Sequence, residues 1–88
     1  MPKYTDLVDV FAAIHDPKDM RRLLNELLTA NELEDVWRRW QIMRDLSRGL
    51  AQRDIAERHN MSLCKVTRGS KIMQDKHSIC RQIIEERK

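Results

Sequence analysis

Cysteine, glycine and proline are each present only twice in 88 residues, and each scarcity excludes something. Cys64 and Cys80 have no close spacing, form no CxxC and follow no signal peptide. They read as ordinary thiols of a reducing, cytoplasmic compartment. No apolar run approaches the roughly 18 residues that span a bilayer, so no membrane partner is expected. His15, His59 and His77 share no metal-ligand spacing with each other or with the cysteines. A nucleophile–base pairing and a glycine-rich phosphate loop are both missing, which argues against an enzyme. No stretch alternates apolar and polar residues over a strand's length, so the expected fold class is all-α.

Charge is plentiful but uneven. Met1–Trp37 carries four Lys/Arg against eight acids, a balance of −4; Arg38 onward carries thirteen against six, a balance of +7. The basic part is a candidate for a polyanion, and a solvated charged face is the plainer alternative.

Apolar residues recur at helical spacing along the whole chain. Leu7, Val8, Val10, Phe11 and Ile14 mark a first helix from Tyr4 to about Ile14. Asp16 and Pro17 are an N-cap and a first-turn proline, opening a helix with Met20, Leu23, Leu24, Leu27 and Leu28 on one stripe. Thr29 and Glu32 form a capping box before the longest helix, whose stripe is Leu33, Val36, Trp37, Trp40, Met43 and Leu46. Trp37 and Trp40 read as core or interface anchors on that stripe. Gly49 stands where a chain leaving a helix needs a left-handed residue. Shorter helices follow from about Gln52 to His59, from Leu63 to near Met73 and from about Ser78 to Glu86, the last with Ile79, Cys80, Ile83 and Ile84 as its apolar face.

A chain of this length makes one domain, 1–88, with a marginal core. The leucine-rich stripes of the first two helices need a surface to pack on. An interlocked homodimer would supply it, and packing within the chain is the alternative.

The segment from Gln52 to Met73 has the requirements of a helix-turn-helix. Ala56 is small where the two helices touch. Asn60 tolerates positive φ in the turn. Ile55, Met61, Leu63 and Val66 fall where apolar side chains must plug the angle, and Ser62 caps the second helix. Cys64, Lys65, Thr67, Arg68 and Lys71 then point outward, the pattern of a helix that reads base edges while nearby cations meet phosphates. Gln52 and Arg53 would meet backbone phosphates. Some such motifs dock proteins instead, and the basic back of the chain favours double-stranded DNA. Gly69 lies inside a helix, at a cost of about 1 kcal/mol relative to alanine. Something must approach its bare backbone: a ligand, a phosphate or a neighbouring helix.

The run Leu23-Leu24-Asn25-Glu26-Leu27-Leu28-Thr29, Arg39, Gln52-Arg53-Asp54-Ile55-Ala56 and Val66-Thr67-Arg68-Gly69-Ser70 resembles the tryptophan repressor family. The resemblance covers about Leu7 to Ile84. It implies a sequence-specific transcriptional repressor with six helices, in which helices 1–3 and 6 build the core of an intertwined homodimer and residues 52–73 form each reading head. It further implies no cofactor beyond a small amino-acid co-repressor, L-tryptophan, which holds the two heads about one DNA turn apart, near 34 Å. Arg39 and Arg68 would then sandwich the indole, Arg68 would meet the carboxylate with help from Thr29 of the other subunit, and the Leu28 backbone carbonyl, Ile42 and the bare surface of Gly69 would complete the wall. Operator contacts would come from Gln52, Arg53, Leu63, Cys64, Lys65, Thr67, Ser70 and Lys71. The sequence departs from the family pattern at Ile72 and Glu26 beside the effector pocket and at Lys65 and Lys71 on the reading face. A ligand-independent regulator and a helical docking module therefore remain alternatives.

Overall fold

The computed structural model describes residues 3–88, and among them the regular structure is helical, with no strand. The helices are α1 (Thr5–Ala13), α2 (Pro17–Leu27), α3 (Ala30–Ser47), α4 (Gln52–Arg58), α5 (Leu63–Gln74) and α6 (Ile79–Glu86). The all-α expectation holds, with ends within a residue or two of those read from caps and periodicity.

Local chemistry sets the boundaries. The Asp16 carboxylate accepts from the Lys18 amide at 2.9 Å, with Pro17 at the first helical position. Thr29 and Glu32 exchange bonds reciprocally: Thr29 Oγ1 accepts from the Glu32 amide at 3.1 Å, and Glu32 Oε1 accepts from the Thr29 amide at 2.9 Å. The Thr29 amide first, and its hydroxyl second, hold the Glu32 carboxyl below its ordinary value. Ser62 and Ser78 cap α5 and α6, accepting from Lys65 and Arg81 amides at 3.4 and 3.2 Å.

Two helices end in the same way with different residues. After α3, Gly49 has φ 84°, its amide donates to Leu46 O, and the Leu50 amide donates to Asp45 O. After α4, Asn60 has φ 51°, its amide donates to Glu57 O, and the Met61 amide donates to Ala56 O. Both are Schellman closures, in which a left-handed residue turns the chain so that orphan carbonyls are satisfied. Each delivers an apolar residue, Leu50 or Met61, onto the core.

The chain divides into two compact units, with the boundary after Glu34 inside α3. In the first, neither α1 nor α2 contains a buried residue, and Leu7, Val8, Val10 and Leu27 are exposed. The second has a core in which Ile42 from α3, Ile55 from α4 and Val66 from α5 meet at 1%, 0% and 0% exposure. Leu46, Leu50, Ala56 and Met61 pack around them.

One expectation about packing, the place of Leu63, is corrected. Of the stripe expected along α3, Met43 is buried while Val36 and Trp37 are exposed. The most buried apolar residue there is Ile42, one position off that stripe, because the helix turns its Ile42 face to the head. Leu63 does not plug the helix-turn-helix angle; at the first position of α5 it is 51% exposed. On α6 only Ile84 is buried, and Ile79 is exposed. Among the described residues no helix is long and apolar enough to cross a membrane, and no group of side chains has the makings of a metal site.

Candidate nucleic-acid interface

The head is α4, the Asn60 turn and α5. Its angle is fixed by the buried Ile55–Val66 contact region and by the turn closure, so side chains on its outer surface stand on a rigid base. Arg53, Cys64, Lys65, Arg68 and Lys71 are exposed on it, as expected from their register. Four of these five are cations, with no acidic residue in the first turn of α5 to neutralise them. The exposed Leu63 adds an apolar group at the same helix end, suited to a thymine methyl.

Thr67 and Gln52 are half-buried and bonded to each other. Thr67 Oγ1 lies 3.1 Å from Gln52 Oε1 and 2.9 Å from the Leu63 carbonyl. The threonine proton is thus engaged inside the head. The hydroxyl has one proton for these two acceptors, and the shorter contact is to the Leu63 carbonyl. Ser70, expected among the DNA-facing residues, is instead buried, and its Oγ accepts from Gln74 Nε2 at 3.2 Å.

The effector residues fall into two sets. Arg39, Ile42, Arg68 and Gly69 line one small cleft with Met43, Lys65 and Ile72, so residues far apart in sequence converge. Leu28 and Thr29 belong to the first unit, at the α2–α3 junction. Thr29 Oγ1 is an acceptor in the capping box, and that bond does not use its proton. The cleft has a volume of about 20 Å³, roughly the space of one water. Gly69 has a packing reason: a Cβ there would sit 3.1 Å from Ile42 Cγ2 and 3.5 Å from Leu46 Cδ1. The missing side chain lets α5 approach α3, one of the neighbours read from sequence.

One structural feature escaped the sequence. Asp45 is 2% exposed, and its Oδ2 lies 2.7 Å from His59 Nε2. Its Oδ1 faces Arg58 at 3.7 Å and Arg48 at 3.9 Å. No motif announces this pair, which is fourteen residues apart.

The family model for the Trp repressor protein matches residues 3–88. A Trp operon repressor homolog of Xylella fastidiosa is 31% identical over 70 residues, covering 78% of this chain and 76% of that protein. A Trp operon repressor homolog of Chlamydia trachomatis serovar D is 38% identical over 58 residues, covering 65% and 62%. No solved structure matches significantly. With a helix-turn-helix head, a cationic outer face and a family match spanning all the described residues, the chain belongs to the Trp repressor protein family, a family of DNA-binding transcription regulators rather than enzymes.

Proposed function

We propose that this repressor acts as a homodimer on a two-fold operator, with α5 in the major groove and a planar amino acid, L-tryptophan in the first instance, as co-repressor. The observation that carries the DNA part is the run of exposed cations on a capped helix seated on a buried core. In this reading Lys65, Cys64 and Leu63 face base edges, and Arg53, Lys71 and Gln52 meet phosphates.

The homodimer is supported by the first unit. Helices with wide apolar faces and no buried residue need a partner surface, and the acidic front of the chain complements its basic back. In such an assembly residues 1–88 act as one domain, with α1–α3 and α6 forming the shared core.

The chemistry of the α3–α5 cleft suits an aromatic carboxylate. Two guanidiniums supply flat stacking surfaces and a forked carboxylate contact, and Gly69 and Ile42 supply an apolar wall. In the proposed homodimer the cleft is one wall of the site, which a partner subunit completes. Ile72, a branched apolar side chain lining the cleft, favours a second reading in which the repressor binds operator without an effector.

Calorimetry with L-tryptophan, paired with duplex affinity at constant salt, separates the readings. Heat and a gain in duplex affinity support co-repression. Tight, salt-dependent duplex binding that tryptophan leaves unchanged supports the second reading. No salt-dependent duplex binding at all would leave a protein-docking module.

A further inference from the structure

Among the described residues the charged side chain buried most deeply is that of Asp45, at 3% exposure. A carboxylate taken out of water needs donors around it. The partners of this residue come from both ends of α4. Ahead of α4, the Asp45 carbonyl accepts from the Arg48 amide at 3.1 Å and the Leu50 amide at 3.3 Å, which closes the Gly49 turn just before Gln52. Behind α4, His59 Nε2 lies 2.7 Å from Asp45 Oδ2, and His59 is the residue that ends α4 and leads into the Asn60 turn. Arg58, the last residue of α4, faces Asp45 Oδ1 at 3.7 Å, and Arg48 faces it at 3.9 Å. One residue of α3 therefore engages both of the Schellman closures that frame α4.

The apolar contact of Ile42 with Ile55 and Val66 holds the head on α3, but such contact is non-directional. A hydrogen bond prefers a narrow range of distance and angle. We propose that Asp45 is a positioning residue for the reading head: through Leu50 and His59 it clamps the two ends of α4 to α3 and so sets the angle at which α5 meets a major groove. The Leu50 end is backbone to backbone, and any residue at position 45 supplies it. The His59 end depends on this side chain. Buried as it is, Asp45 touches no base or phosphate and acts only through that angle.

This rests on the DNA-reading role of the head, and the test keeps the two apart. Three full-length variants are compared with wild type at one pH and one salt concentration. Asp45→Leu fills a similar space without an acceptor, and replacing a buried charge by an apolar group of similar volume often leaves a protein folded. His59→Phe keeps a ring and removes the donor. Asp45→Asn keeps an oxygen that can accept from His59. Residual dipolar couplings of backbone amides, measured without DNA, give the orientation of α5 relative to α3. Binding is measured to a duplex selected by wild type and to a random one, at a temperature where the proteins compared are folded. Wild type and Asp45→Asn should share one orientation, while Asp45→Leu and His59→Phe shift it. The shifted variants should lose about ten-fold in preference for selected over random duplex, the scale of one hydrogen bond to a charged group. Their binding to random duplex should be unchanged, because the exposed cations of α4 and α5 remain. A merely structural role would lower melting temperatures and leave that preference alone, and this outcome would overturn the proposal. A shifted orientation in proteins that bind no duplex would support the clamp and count against the DNA reading. Wild-type couplings in a folded Asp45→Leu or His59→Phe would overturn the proposal, as would an equal shift in Asp45→Asn.

Discussion

Between Thr5 and Leu27 two amphipathic helices bury nothing, whereas between Ile42 and Val66 three helices each contribute one β-branched residue that is fully sealed from water. The first region has the richer run of leucine and valine, and the second has the core. Apolar content reports the need for a partner; it does not say where that partner lies. The second region has its own core because its Schellman turns fold α4 and α5 back onto α3 within a few residues. The first has no such device.

The largest expected effect breaks this contrast open. Ile55→Ala removes a fully buried side chain and should cost about 2–5 kcal/mol in urea unfolding, with loss of duplex binding. Leu7→Ala, at a position 43% exposed, should leave the stability of the head unchanged and act on self-association instead, as read by sedimentation at micromolar concentration. If both variants lower the same two-state transition equally and independently of concentration, the contrast is wrong.

Gly69→Ala sharpens the boundary between effector cleft and packing. Alanine improves helix propensity by about 1 kcal/mol, while its methyl presses on Ile42 Cγ2, a branch close to the α3 backbone with little room to move. The net cost should be about 1 kcal/mol in thermal or urea unfolding. A stabilised variant would mean that α3 and α5 are less closely packed than the structure has them.

Asn60 tests the turn alone. At φ 51° glycine should be neutral or slightly stabilising, and alanine should cost about 1 kcal/mol. Equal melting temperatures for Asn60→Gly and Asn60→Ala would remove the left-handed turn from the account.

The smallest effect belongs to the first region. Because Glu32 is held below its ordinary value by Thr29, its contribution is present above the normal carboxylate range and lost as pH falls through the lowered value. Glu32→Gln should therefore lower the melting temperature slightly at pH 7, with the difference from wild type vanishing in strong acid. A difference that grows on acidification would contradict the capping box.

What was legible in the sequence was local. Asp16, Thr29, Ser62, Gly49 and Asn60 act on backbone groups two to four residues away, so their identity and spacing sufficed. The convergence of Arg39 with Arg68 and Gly69 came only through family resemblance, and the structure brings those residues to one cleft. What escaped was the angle at which one helix meets another. That angle puts Ile42, with Met43 and Leu46 of the expected stripe, against the head while Trp37 stays outside, turns Ser70 inward, leaves Leu63 exposed, and brings Asp45 to His59.

The central claim is that the outer face of α4 and α5 reads duplex DNA, and selection from a random duplex pool followed by a salt titration tests it most directly. Wild type should enrich two-fold related half-sites about one helical turn apart, with affinity falling steeply as salt rises. Lys65→Ala should relax the selected sequence, and Arg53→Ala should weaken binding to every duplex alike and flatten the salt slope by about one. Failure to enrich any sequence, with both variants binding random duplex as wild type does, would contradict the account.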